Sequence, residues 1–192
     1  MRLTKIYTRT GDDGATTLAN GQRVSKDSLR IEVLGQIDEL NTWLGVIHSY
    51  LVEHPHENSC LDGLSDIIRK IQNDLFDLSG DVAVLLEHRV IELRIVNSKD
   101  IQALEVWIDL WQKELKPLKE FILPGGGTLS SYIHYARVIC RRAERSCVAL
   151  HKEESINAMI LAYLNRLSDV LFVMARWSCQ RLGNSEIMWQ RI

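Results

Sequence analysis

Leu129-Ser130-Ser131-Tyr132-Ile133-His134-Tyr135-Ala136-Arg137-Val138-Ile139-Cys140-Arg141-Arg142-Ala143-Glu144-Arg145-Ser146-Cys147-Val148-Ala149-Leu150 contains neither glycine nor proline. Apolar or small side chains recur at Leu129, Ile133, Ala136, Cys140, Ala143, Cys147 and Leu150. Alternating steps of four and three place them on one stripe of an α-helix. The same spacing runs through Leu61, Leu64, Ile68, Ile71, Leu75, Leu78, Val82 and Leu85, and again through Ile101, Leu104, Ile108, Trp111, Leu115 and Leu118. Stripes with this period describe helices packed nearly parallel or antiparallel, each filling the grooves of the next.

Two more helices complete the pattern, one from about Lys26 to Tyr50 and one from about Ser155 to Leu182. The second carries Ile156, Met159, Ile160, Tyr163, Leu164, Leu167, Val170, Leu171 and Met174. Pro55, Pro117 and Pro124 mark breaks, because proline resists helix interiors. The expectation is an all-α protein: a five-helix bundle in a single domain over 1–192, with an arm over 1–25, the bundle over 26–182 and a tail over 183–192. The arm holds Gly11, Gly14, Gly21 and several threonines with little apolar periodicity, and reads as an ordered loop.

A chain of 192 residues with 46% hydrophobic and 25% charged residues can bury a substantial core, which excludes disordered and fibrous classes. A net charge of −2 provides no global basic field for nucleic acid or anionic membrane. No apolar leader opens the sequence, and no uninterrupted apolar run approaches the roughly eighteen residues of a membrane span. Cysteines at 60, 140, 147 and 179 form no C-x-x-C pair, which favours reduced thiols and the cytoplasm. His54-Pro55-His56 is loop material, and the histidines lack a zinc-ligand pattern.

Three regions could carry chemistry. Thr8-Arg9-Thr10-Gly11-Asp12-Asp13-Gly14-Ala15-Thr16-Thr17, followed by Arg23 and Lys26, combines glycines, hydroxyls and cations suited to a phosphate. It is not a P-loop, and an ordinary surface turn is the competing reading. Arg137, Arg141, Arg142 and Arg145 crowd around Glu144, where the plain alternative is a solvated face. Ser130, His134, Arg137, Arg141 and Glu144, however, trail the apolar stripe by one residue at every step, so they border the core. Asp38 and Asn41 on the first helix are candidate partners for these arginines, or a structural hydrogen-bonded pair, and Asn165, Asp169 and Arg176 form a ridge on the last. Polar groups on facing helices are how bundles build small-molecule sites. Phe121-Ile122-Leu123-Pro124-Gly125-Gly126-Gly127 is an apolar run ending in an elbow, either a hydrophobic staple or the wall of an apolar site.

Taken together, Thr8 through Thr16, Arg23-Val24-Ser25-Lys26 and Gly35-Gln36-Ile37-Asp38-Glu39-Leu40-Asn41 resemble the amino-terminal signature of PduO-type ATP:cob(I)alamin adenosyltransferases. Phe121 to Gly127, His134, Arg137, Cys140 through Arg145 and Tyr163 through Asp169 resemble the remainder, in the family's order. The resemblance implies a homotrimer with active sites at subunit interfaces. It also implies a reaction in which the cobalt(I) of a reduced corrinoid attacks the 5′-carbon of ATP, giving adenosylcobalamin and triphosphate. By position, Thr8, Arg9, Thr10, Gly11, Thr16, Thr17 and Lys26 would hold the nucleotide, joined by Arg141, Arg142, Glu144, Arg145 and Asn165, with Mg²⁺ on the phosphates. Asp38 and Arg137 would form an interior ion pair under the corrinoid, and Phe121 would occupy the lower axial side of cobalt. The electron that produces cobalt(I) would come from a donor protein or a reduced flavin.

That chemistry suits a chain with no visible nucleophile or base, because cobalt(I) is itself a potent nucleophile. Two rival readings are a non-catalytic helical trimer that carries ATP or corrinoid, and a phosphoryl-transfer enzyme using the arm as a phosphate loop.

Overall fold

The computed structural model describes residues 7–84 and 94–190. A hairpin of β1 (Ala15–Thr17) and β2 (Arg23–Ser25) is followed by α1 (Leu29–Glu53), α2 (Leu64–Val82), α3 (Ser98–Gln112), β3 (Ile122–Leu123), α4 (Thr128–Glu153), α5 (Ala158–Arg181) and β4 (Ile187–Met188). The fold is all-α in its body, with five helices among the described residues. Helix α2 packs on α1, α1 on α4, α4 on α5, and α5 on α3. The stripe on α4 is buried throughout its length, as is the stripe of Leu61 and the α2 positions from Leu64 to Val82. Leu85 lies outside the described residues. Helix α5 is long and apolar enough to cross a membrane by length and composition, yet Ile160, Tyr163, Leu164, Leu167, Leu171 and Met174 are fully buried in the bundle.

Helix α3 ends earlier than the stripe predicts. Leu115 and Leu118 fall after Gln112, where tight turns from Trp111 O to Glu114 N (3.1 Å) and Gln112 O to Leu115 N (3.2 Å) break the helix. Pro117 bars the helix from continuing to Leu118, because its ring disfavours α-helical backbone at Lys116. Helix α1 begins three residues later than expected, since β2 takes the chain through Ser25.

Some of the fold's fastenings were invisible to periodicity. Arg30 is buried; its Nη1 donates to the Val82 carbonyl and its Nε to Glu154 at 3.0 Å, tying the start of α1 to the ends of α2 and α4. Arg94 joins Asp74 (3.1 Å), Asp77 (2.6 Å) and Asp100 (2.7 Å), and the fully buried Tyr163 donates to Asp74 at 3.1 Å. The Asp77 carboxylate beside Arg94 raises the pKa of its guanidinium further. Asn97 caps α3 in a reciprocal capping box with Asp100, and Asn157 caps α5 through the Met159 N–H.

The tail, which had no role in the sequence reading, is docked on the elbow. Strand β4 pairs antiparallel with β3, Ile122 opposite Met188 and Leu123 opposite Ile187, and Trp189 N donates to the Phe121 carbonyl at 2.7 Å. The glycine run beneath is required by geometry. Gly126 has φ 87°, and a Cβ there would lie 2.5 Å from Cys179 Sγ. Gly126→Ala is therefore expected to destabilise the protein by about 1–3 kcal/mol, through steric conflict added to backbone strain. Urea denaturation checks this against Gly21→Ala, which shares a positive φ of 86° but faces open space and should cost less.

Candidate active site

The arm folds into a compact loop closed by its own cations. Lys26 Nζ donates to the Gly11 carbonyl at 2.7 Å, Lys26 N to the Gly14 carbonyl at 2.8 Å, and Arg23 Nη2 to Asp13 at 2.5 Å. The hydroxyls of Thr8 and Thr10 are 2.8 Å apart, and Arg9 sits at φ 62°. Hydrogen bonding from Ala15 N–H, helped by Arg23, holds the Asp13 carboxyl below the usual carboxylate range. Thr8, Arg9, Thr10, Thr17 and Lys26 are exposed, with Gly11 and Thr16 half-buried.

A second cluster lies on α4 and α5. Arg141, Glu144, Arg145, Val148 and Asn165 line a groove of about 310 Å³. Asn165 Nδ2 donates to Glu144 Oε1 at 2.9 Å, and Arg145 Nη1 to the Arg141 carbonyl at 3.1 Å. Arg141 and Arg145 are both exposed along this groove. Arg142, expected in the same site, points elsewhere: it pairs with Glu39 on α1. One residue along a helix turns the side chain about 100°, which carries Arg142 to the α1 side. Among the described residues, none of the arm lines the groove, so within one chain the two expected halves of the nucleotide site do not share one pocket.

Between groove and elbow lies a buried ridge. His134 is almost fully buried, with Nδ1 unpartnered, and its ring centroid is 6.0 Å from that of Phe172. Burial, reinforced by Arg137, lowers its pKa to about 4, so the ring is neutral at physiological pH. The Arg137 guanidinium lies 6.0 Å from the Phe172 ring centre with its Nε buried and unpartnered, and burial lowers its pKa. Phe172 escaped the sequence reading; its signal was a place on the Asn165, Asp169, Arg176 ridge. It also walls a groove of about 520 Å³ with Ile108, Leu115, Leu118, Arg166 and Arg176.

The expected interior pair of Asp38 and Arg137 is not formed within the chain. Asp38 is exposed on α1, Arg137 is half-buried on α4, and no ion pair joins them. The turn of α1 that buries Ile37 and Leu40 carries Asp38 outward. Asn165 and Asp169 are likewise exposed, whereas Arg176 is buried. Phe121 is 78% exposed, its ring set edge-on to Trp189 at 6.5 Å.

All four cysteines are free. Burial pushes the Cys147 thiol up to about 12 and raises that of Cys140 further, so neither is a thiolate at neutral pH. Beside these buried groups, the groove on α4 and α5 offers the cations Arg141 and Arg145 and the carboxylate Glu144. The class of protein so defined is a helical bundle with a cation-lined groove on α4 and α5.

Residues 6–178 match the family described as cobalamin adenosyltransferase. A corrinoid adenosyltransferase of Bacillus subtilis is 43% identical over 97% of this chain and 93% of its own length. The human corrinoid adenosyltransferase is 37% identical over 99% of this chain and 75% of its own. Among solved structures, a phenylalanine-to-alanine variant of the PduO-type ATP:corrinoid adenosyltransferase of Lactobacillus reuteri, complexed with cobalamin and ATP, superposes with a TM-score of 0.91. It is 35% identical, covering 97% of this chain and 100% of that one. The chain belongs to the cobalamin adenosyltransferase family.

The buried histidine makes a pH prediction. The unfolded chain protonates this imidazole below about 6.5, the folded chain only near 4. Its contribution is therefore complete above pH 6.5 and is lost as pH falls from 6.5 toward 4, by at most about 3 kcal/mol. Denaturation of His134→Phe over that range should show a shallower acid limb than wild type.

Proposed function

We propose a division of labour among these residues for the reaction this chain catalyses, transfer of the 5′-deoxyadenosyl group of ATP to the cobalt(I) of a reduced corrinoid with release of triphosphate. The observation that carries it is the convergence of Arg141, Glu144, Arg145 and Asn165 from two helices into one groove. Arg141, Arg145 and Asn165 bind the polyphosphate, and the arm adds Thr8, Arg9, Thr10, Gly11, Thr16, Thr17 and the Lys26 ammonium. As the C5′–O bond breaks, negative charge grows on the departing triphosphate, and fixed cations stabilise that charge more than the ground state. Arg142 holds α1 through Glu39 at the edge of this site.

The donor set fits Mg²⁺. Glu144 is the one carboxylate lining the groove, which suits an ion that keeps most of its ligands on phosphate and water. When bound, it neutralises phosphate charge. Glu144 is itself oriented by Asn165.

Cobalt(I) needs no proton removed before it attacks, so the protein's work is positioning. Phe121 presents an apolar face to the corrinoid's lower side, keeping a ligand off cobalt and making reduction to cobalt(I) easier. A donor protein or reduced flavin supplies the electron, and the reaction belongs in the cytoplasm, where thiols stay reduced.

The site is shared between subunits of a homotrimer. That the described arm residues do not line the groove of their own chain supports this, as do exposed Asp38 and the unpartnered Nε of Arg137, which suit pairing across the interface. A buried N–H without a hydrogen-bond acceptor is costly, so subunit contact is the natural place to satisfy the Nε of Arg137.

Anaerobic mixing with Mg-ATP and chemically reduced cobalamin should yield adenosylcobalamin and triphosphate, followed by absorbance; ATP binding without conversion would instead indicate a carrier. Arg141→Ala should raise the KM for ATP about 10–100-fold, the loss of a charge-assisted hydrogen bond. Co-assembled Lys26→Ala and Arg141→Ala subunits, assayed at an ATP concentration too low for either variant alone to turn over appreciably, should recover about a quarter of wild-type turnover if each site joins two chains. No recovery would place both halves in one subunit. Phe121→Ala should lower the four-coordinate cobalt(II) signal in electron paramagnetic resonance spectra of the ATP complex.

A further inference from the structure

Arg176 is a deeply buried cation that the reaction does not use directly. It lies on the inner side of α5, 7% exposed. Its Nε donates to Glu186 Oε1 at 2.6 Å, and its Nη2 to Glu186 Oε2 at 3.3 Å and to the Lys116 carbonyl at 3.0 Å. Lys116 belongs to the segment leading into β3, and Glu186 immediately precedes β4. One guanidinium thus fixes the approach to both strands of the β3–β4 ribbon.

The ribbon has only two residues per strand, far too short to hold its shape alone. Its far end carries Phe121, bonded through its carbonyl to Trp189 N and set against the Trp189 ring. At 78% exposure, Phe121 takes little positional constraint from the helices. Where its ring stands is therefore set by the ribbon, which Arg176 fastens at the approach to each strand, alongside the Ser130 Oγ bond to the Gly125 carbonyl at 2.6 Å. Glu186 acts on His134 only through space, opposing the depression of its pKa, while its hydrogen bonds to Arg176 join α5 to the tail.

We infer that the Arg176–Glu186 pair is a clamp that positions Phe121 against the corrinoid, making both members positioning residues for the adenosyl transfer. The inference rests on the reading of Phe121 as the residue beneath cobalt. A purely structural ion pair would alter melting temperature and affect ATP and corrinoid steps alike. A clamp acts on the corrinoid side, because the nucleotide groove is lined by residues on other turns of α4 and α5.

The test uses full-length Glu186→Gln, which removes the charge but keeps the size, beside Phe121→Ala. With ATP and cobalt(II) cobalamin, electron paramagnetic resonance should show the four-coordinate fraction of Glu186→Gln falling at least halfway toward that of Phe121→Ala. Turnover should fall about tenfold, as expected for a misplaced reacting partner, while ATP affinity stays within about twofold. If Phe121→Ala loses the signal and Glu186→Gln keeps it, the clamp is overturned and the reading of Phe121 stands. If Phe121→Ala itself keeps the signal, the reading of Phe121 falls first and takes the clamp with it. Should Glu186→Gln fail to fold, judged by circular dichroism, Glu186→Asp keeps the charge but shortens its reach. An unchanged spectrum for that variant would equally overturn the clamp.

Discussion

Much of this protein follows from one constraint on α4: a single helix must bury a continuous stripe against α1 and α5 while carrying arginines one residue behind it. A step of one residue turns a side chain about 100°, so a cation one position after each core residue can lie at the border of the core. Ala136, Cys140 and Ala143 are small, which brings α4 close to its neighbours and leaves Arg137, Arg141 and Glu144 at graded depths. The site is thus a by-product of core packing and is held as rigidly as the core itself. It also explains why Arg142 behaves differently from Arg141, since the next step around the helix faces α1 and finds Glu39.

Depth along that ridge sorts the chemistry. His134 is buried and neutral, Arg137 is half-buried with an unpartnered Nε, and Arg141 and Arg145 are exposed beside a groove. A site that moved protons would need a titratable group near solvent and near neutral pKa. Here the groove presents two arginines and one carboxylate, Glu144, and the buried thiols are driven far from ionisation. That distribution fits a reaction whose nucleophile arrives with the substrate and whose leaving group is a polyanion.

The periphery matters more than its size suggests. The elbow, tail and arm contain only short strands, yet each is tied down by a cation: Arg176 for the ribbon, Lys26 and Arg23 for the arm loop. Glycine at 126 is the counterpart of these fastenings, because only its missing Cβ lets the elbow approach Cys179 so closely. The bundle supplies rigidity, and these fastenings carry it outward to segments with too little apolar surface to order themselves.

How far the sequence reached depended on whether a feature is local. Helix number, their approximate spans and the core stripes of α2, α4 and α5 were legible because a 3.5-residue period is written in the order of residues, whereas the core positions of α1 were not read. The cationic groove was legible for the same reason, as Arg141, Glu144 and Arg145 share one helix. Pro117 could have signalled the early end of α3, but the apolar period ran past it. What remained hidden are pairings between distant residues: Arg30 with Glu154, Arg142 with Glu39, Arg176 with Glu186, and the docking of the tail on β3. Partner choice among charges depends on how helices rotate and cross, and that is settled by the packing of the whole core. For the same reason Asp38 and Arg137, plausible partners by type, are left apart within the chain, because burying Ile37 and Leu40 points Asp38 to solvent.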